Sequence, residues 1–309
     1  MVQRRESAGN PTSHRPKETS RTPAARSNLV TGASTGIGRA AVLALLSQGF
    51  SVYAGVRDPA AGARLMAEAP AGSQARLQVL TLDVTDAGQV RAAADRLERE
   101  LGDAGLWGLF NNAGISVNGP IEHLGLDGLR HQLEVNVVGQ VAVTQAMIPL
   151  LRRARGRVVT TGSVAGFIAL PGLAPYAMSK HAMEAFSDSL RRELAPFGVQ
   201  VSLLEPGAIA TEIWQKGMRD ADEVERSWPP QVIEHYGPLI QALRKAAAMS
   251  ERRASPPEVV TRAVVHAFTA ARPRTRYRMG RDSGIQKWIA RLPDRWADAV
   301  LMKALGLGL

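Results

Sequence analysis

A doubly wound α/β fold, one parallel sheet with helices on both faces, is what this 309-residue sequence predicts. Three observations carry the prediction. Short apolar runs of strand length alternate with longer amphipathic segments from Ser27 onward. The first run passes straight into a glycine-rich turn. Residues that are 45% apolar give a chain of this length the means to bury a sizeable core.

The elements follow in order. SNLVT, FSVYAGV, RLQVLTL, LWGLFN, GRVVTTG and VQVSLLE have strand length and β-branched or aromatic content, each bounded by Gly, Asn, Asp or Pro. Between them, helices are expected over Ile37 to Gln48, stopped by Gly49, over Asp86 to Leu101 after a Thr-Asp start, over Leu126 to Leu151 and over Pro175 to Ala195. A further helix, Pro256 to Ala270, and a strand around Thr275 to Met279 complete the body. One departure stands in the first strand, where Asn28 occupies an expected apolar position. Thr211 to Ser255 breaks the rhythm, with Trp214, Trp228, Pro229, Pro230 and Tyr236 among charges, and reads as an inserted lid over 212–255.

Composition narrows the function. The absence of Cys excludes a disulfide framework, thiolate metal sites and a cysteine nucleophile, and no metal site is expected. The formal charge of +10 sits at the ends: residues 1–26 hold six basic and two acidic side chains, and residues 271–309 hold nine and three. The stretch between them is neutral, which argues against a nucleic-acid-reading face. The first 26 residues have no apolar run behind their basic groups, so they read as a disordered tail and not a secretory signal.

The chemistry is carried by four groups of residues. In Thr31-Gly32-Ala33-Ser34-Thr35-Gly36-Ile37-Gly38 the glycines permit a tight turn and a close backbone approach to a pyrophosphate at a helix N-terminus. At the end of the second strand Arg57 stands near the place where an acid would bind the adenosine ribose, which favours NADP(H) over NAD(H), although Asp58 is one position away. Asn111-Asn112-Ala113-Gly114 closes a later strand at the carboxyl edge of the sheet. Finally, Ser163 ends one strand while Tyr176 and Lys180 share a helix face at i and i+4. An ammonium beside a phenol favours the phenolate, so Tyr176 can exchange a proton with a substrate oxygen held by Ser163 while hydride moves at carbon.

These motifs, with Pro206-Gly207, resemble the short-chain dehydrogenase/reductase family over about Ser27 to Thr211: TGASTGIG, LDV, NNAG, YAMSK and PGAIAT occur in order. The resemblance implies a nicotinamide-dependent oxidoreductase with Asn136, Ser163, Tyr176 and Lys180 as its catalytic set. In it Gly32, Ser34, Thr35, Gly36, Ile37, Gly38 and Arg57 bind the phosphates, Asp83 and Val84 lie by adenine, and Asn111, Ala113 and Gly114 lie along the adenosine side. Pro206, Gly207, Ile209 and Thr211 lie by the nicotinamide amide, and Lys180 also holds its ribose. A helix-helix hydrogen bond for Asn136 and a turn cap for Asp83 remain open as structural roles. LWGLFNNAG, VYAGVRDP and ELAPFGVQVSLLEPG look like the branch acting on retinoids and hydroxysteroids.

The expected protein is thus one catalytic domain over 27–283, preceded by the tail and followed by a C-terminal extension over 284–309. It is expected to transfer hydride between NADP(H), or alternatively NAD(H), and a lipophilic secondary alcohol or ketone. A 3-oxoacyl thioester reductase and a nucleotide-binding scaffold without turnover are the rival readings. Ile213, Trp214, Met218, Trp228 and Tyr236 suit an apolar ligand or simply a core. In the extension, Ile285, Trp288, Ile289, Leu292, Trp296, Val300 and Leu305 recur at helical spacing among Lys287, Arg291, Arg295 and Lys303, a pattern that docks on the body, packs on a partner or rests on an anionic membrane. A cytoplasmic homodimer or homotetramer is expected, with peripheral membrane contact as one of the three readings of the extension.

Overall fold

The computed structural model describes residues 26–211, 225–226, 228–280 and 283–308. The expected tail, apart from Arg26, and Ile213, Trp214 and Met218 of the lid lie outside them. Seven parallel strands form one sheet in the order β3-β2-β1-β4-β5-β6-β7. They are β1 Ser27–Val30, β2 Ser51–Val56, β3 Leu77–Thr81, β4 Gly108–Asn111, β5 Arg157–Thr161, β6 Gln200–Pro206 and β7 Arg276–Met279. Strand order reverses between β1 and β4, so the carboxyl ends of these two strands open the crevice where doubly wound folds bind ligands.

Successive residues of the central strands point to opposite faces, and both faces are buried. Val30, Phe110 and Val159 join Leu45, Phe50 and Phe268 on one side, whereas Leu29, Leu109 and Val158 join Leu97, Met147 and Leu194 on the other. The first side is covered by α1 Gly36–Ser47, α2 Pro59–Glu68 and α8 Glu258–Thr269. The second is covered by α3 Ala87–Leu101, α5 Gly139–Ala154 and α6 Ala174–Leu194. Asn28 is fully buried in β1, and its side-chain amide has no hydrogen-bond partner among the described residues.

Three findings amend the expected elements. The helix expected from Leu126 is α4 Leu126–Leu133, a π turn Glu134–Val138 and then α5, which tolerates Pro149 and ends at Arg155 in the left-handed region. The π turn carries Asn136, and such bulges commonly mark functional positions. A helix not anticipated, α2, follows Asp58, whose carboxylate accepts from the Ala60 N–H while Pro59 opens the helix. In the insertion, much of the length is one 23-residue helix, α7 Pro230–Arg252. Backbone bonds from Ala210 N–H to the Ser255 carbonyl and from Ser255 N–H to the Ala208 carbonyl bring the two ends of the insertion together.

The C-terminal extension forms α9 Ser283–Ile289 and α10 Asp294–Ala304. Only part of its apolar stripe docks on the body, since Ile285, Trp288, Trp296 and Val300 are exposed.

Candidate active site

The glycine-rich turn is shaped by contacts that leave no space for side chains. Gly32 has φ +62°, and a Cβ there would lie 2.8 Å from the Ala113 Cα. A Cβ on Gly38 would strike the Gly32 carbonyl and lie 2.6 Å from the Asn112 amide nitrogen. The first turn of α1 contains no acidic residue, and Thr35 at its N-cap makes no side-chain cap bond. Its N–H groups and positive dipole end are therefore available to an anion, and the turn fits the pyrophosphate of a dinucleotide.

The turn is stitched to the end of β4. Thr31 Oγ1 accepts from the Asn112 and Ala113 N–H groups at 2.9 and 3.0 Å, while Asn112 Nδ2 donates to the Thr31 and Gly32 carbonyls. Asn111 differs from expectation. It is buried and donates to Thr144 Oγ1 at 2.7 Å, so it braces β4 against α5, and its neighbour Asn112 lines the cleft instead. The reason is the strand pleat: adjacent residues face opposite ways, and the amide facing the cleft is the second of the pair. Gly38 likewise packs against the turn and does not line the cleft, in keeping with close helix-strand packing.

A cavity of about 570 Å³ runs from this turn to the lid helix. It is lined by Gly32, Ser34, Thr35, Gly36, Ile37, Arg57, Asp83, Val84, Ala113 and Gly114 at one end, and by Ser163, Tyr176, Lys180, Pro206, Gly207, Ile209 and Thr211 further along. Asp83 also caps its own turn, accepting from the Thr85 N–H and hydroxyl, and these bonds hold its carboxyl below the ordinary range against the effect of burial; Arg57 acts in the same direction. Asp58 is spent on capping α2, which leaves Arg57 as the charged strand-end residue on the cleft.

Tyr176 and Lys180 stand on α6, the ammonium 5.5 Å from the phenol ring centroid and donating to the Thr161 carbonyl at 2.7 Å. Burial dominates both groups. It pushes the Tyr176 phenol up, with Ser163 pulling the other way, and it lowers Lys180 to about 8. Burial and Ser163 are the influences acting on the phenol, and the expected lowering by the ammonium does not appear among them. Ser163 Oγ accepts from the Ala165 N–H at 3.1 Å and so has a fixed orientation at the end of β5.

Asn136 is buried and lines no part of the cleft. Its Oδ1 accepts from the Ile115 N–H at 2.8 Å, and its Nδ2 donates to the Ile115 carbonyl and to Ser179 Oγ. Ser179 in turn donates to the Tyr176 carbonyl at 2.7 Å, so the amide couples the loop after β4 to the helix carrying Tyr176. Sequence reading missed Gln132, one turn earlier and fully buried, which donates to the same Ile115 carbonyl at 2.7 Å and accepts from Val117 N–H at 2.6 Å. Its signal was a lone amide four residues before Asn136, i and i+4 on one helix face. Gln140, also missed, donates to the Ala113 carbonyl.

The lid supplies Trp228, Ile240, Leu243, Ala246 and Ala247 to the far end of the cavity, and the Tyr236 hydroxyl donates to Glu122 at 2.6 Å. Arg244 pairs with Glu225 at 2.5 Å on the same wall.

A glycine cradle at a topological switch point, with a Ser-Tyr-Lys group beside it, defines a dinucleotide-dependent oxidoreductase site. The family model described as short chain dehydrogenase matches residues 27–222, and the chain belongs to that family. It is 40% identical to "Retinol dehydrogenase 5" of Mus musculus, over 88% of this chain and 86% of that protein. It is 36% identical to "NADPH-dependent 3-dehydrocapnine reductase" of Ornithobacterium rhinotracheale, over 90% of this chain and 96% of that one. Among solved structures, a short chain dehydrogenase from Burkholderia cenocepacia in complex with NADP superposes with a TM-score of 0.65 at 26% identity, covering 90% of this chain and 97% of that one.

Proposed function

We propose that the protein transfers hydride between NADP(H) and a lipophilic secondary alcohol or its ketone. The observation that carries this reading is the single cavity wall on which Ser163, Tyr176 and Lys180 meet the apolar lid residues Trp228, Ile240 and Leu243. The likeness to a retinol dehydrogenase supports the substrate class. Arg57 on the cleft, with Asp58 turned away as a helix cap, supports NADP(H) over NAD(H), as does the NADPH-dependent relative.

A nicotinamide held by the glycine turn and by Lys180 would supply the hydride chemistry at the substrate carbon. Ser163 holds the substrate oxygen, its own orientation fixed by Ala165 N–H. Tyr176 donates the proton in reduction and accepts it in oxidation. Lys180 stabilises the phenolate and holds the ribose, and Asn136 positions α6 through Ser179. Gln132 fixes the same loop as a positioning residue. Residues 27–283 act as one catalytic domain, 212–255 as its lid, and 284–309 as an extension in peripheral contact with a membrane. The protein works in the cytoplasm as a homodimer or homotetramer, with half-exposed Val138, at the end of the π turn before α5, and Met178 on α6 offered to a partner.

The test is turnover, followed at the nicotinamide absorbance, of steroid, retinoid, aliphatic and acyl-thioester substrates with both cofactors. Preference for lipophilic secondary alcohols with NADP(H) supports the reading. Preference for carrier-bound 3-oxoacyl thioesters overturns it.

A further inference from the structure

The C-terminal extension is pocket wall on one side and bare apolar surface on the other. Gln286 of α9 and Leu305, just past α10, line the cavity that holds Tyr176. The Lys287 ammonium lies 4.3 Å from the ring centroid of Phe167, in the segment that follows Ser163, and thereby fastens α9 beside the substrate end. Facing outward, Ile285, Trp288 and Trp296 are 66%, 65% and 68% exposed, and Val300 is 42% exposed. Ile285 and Trp288 are three apart and Trp296 and Val300 four apart, so each helix presents its pair on one face. No residue of α10 is buried. Folding of the monomer alone does not account for this arrangement, since covering a large apolar side chain is worth about 1.5–3 kcal/mol and these are left in water.

The charges identify what covers them. With Lys287 turned to Phe167, the exposed Arg291, Arg295 and Lys303 stand among the outward apolar residues, against Asp294 and Asp298 over 283–308. In a two-fold contact between copies this surface would face itself and bring like charges together. An anionic bilayer satisfies both features: tryptophan favours the boundary between headgroups and acyl chains, and lysine and arginine pair with lipid phosphates.

We propose that α9 and α10 seat on an anionic lipid surface and form the portal through which a lipophilic substrate passes between the bilayer and the cavity. The portal rests on the substrate class proposed above, whereas the seat does not. A poorly soluble alcohol is concentrated in the bilayer, and a pocket wall lying on that bilayer spares it the transfer through water.

The experiment is co-sedimentation of the full chain with vesicles of phosphatidylcholine, with and without phosphatidylglycerol, beside the Trp288→Ser/Trp296→Ser variant and an Arg291→Glu/Arg295→Glu variant that keeps the apolar residues. The wild type is expected to bind the anionic vesicles at least about tenfold more tightly than the neutral ones, and less so at high salt. Both variants are expected to lose that binding. Turnover of a long-chain secondary alcohol carried in vesicles should fall about tenfold in the tryptophan variant, while turnover of a short, water-soluble secondary alcohol stays within about twofold. A wild type that stays in the supernatant at low salt, or variants that sediment like it, overturn the seat. A wild-type dimer that the tryptophan variant dissociates assigns the face to a second copy and overturns it too. Vesicle binding without turnover of any lipophilic alcohol overturns the portal together with the substrate reading and leaves the seat standing.

Discussion

Lys180 is held in the fold at a cost, and that cost can be measured. Its ordinary value near 10.5 falls to about 8 because burial disfavours the ammonium. Below pH 8 the folded protein must carry a buried charge, and between about 8 and 10.5 it binds fewer protons than the unfolded chain, so this group's contribution makes stability rise with pH in that window. Lys180→Met should therefore raise stability at neutral pH, by on the order of 3 kcal/mol, while abolishing turnover. Thermal melts of both proteins at pH 7 and 10 would show the gap narrowing at the higher pH. Another charge on the cleft is Arg57, at the end of β2. Arg57→Ala is expected to raise the KM for NADPH about tenfold or more and to leave that for NADH within a factor of about three, as loss of one charge-assisted bond implies. Parallel steady-state kinetics with the two cofactors would decide it.

At the scale of elements, α6 is the part whose position matters most, and ion pairs tie it to the sheet edge. Arg276 on β7 reaches Glu184 at 2.9 Å and Asp188 at 3.0 Å on α6, and Glu205 on β6 at 3.2 Å. Glu205 is fully buried and also accepts from Arg278 at 2.8 Å. Arg276→Met takes away one of the two guanidiniums on buried Glu205 while Arg278 remains, so it should destabilise by about 1–3 kcal/mol, and adding Glu205→Gln, which removes the under-compensated carboxylate, should restore part of that. Urea unfolding of the single and double variants measures it. These elements also mark how far the sequence can be read. Strands with β-branched runs and punctuating Gly or Asp were legible because a parallel sheet buries both faces, leaving near-continuous apolar segments. The helix α7 was not, since Pro229, Pro230 and Pro238 and its mixed polar face resemble a loop, and Pro230 in fact occupies its first turn. Likewise α2 is not evident in the sequence, where Asp58 stands out only for its nearness to the ribose position, whereas in the structure it caps this helix.

Across the whole molecule, the proposed site is assembled from segments far apart in the chain, and the sequence points to the side chains proposed to react more directly than to the scaffold that holds them. Gly32, Ser163, Tyr176 and Lys180 are legible because their chemistry demands those residue types at those spacings. The swap of Asn111 for Asn112, and the clamp of Gln132 and Asn136 on Ile115, depend on pleat direction and on a π turn, which no linear pattern encodes. The apolar spacing of the extension points to helix, and two helices form there, but only three-dimensional packing shows which of its apolar residues stay outside. The central claim is that this assembly performs hydride transfer with Tyr176 as proton donor and acceptor. Its most direct test compares wild type with Tyr176→Phe, measuring NADPH binding by nicotinamide fluorescence alongside turnover of the lipophilic ketone that wild type reduces best. The account predicts NADPH binding within about twofold of wild type and a loss of at least about a hundredfold in kcat. Equal turnover in the variant, or no turnover of any ketone by a wild type that binds NADPH, would contradict it and leave a nucleotide-binding scaffold in its place.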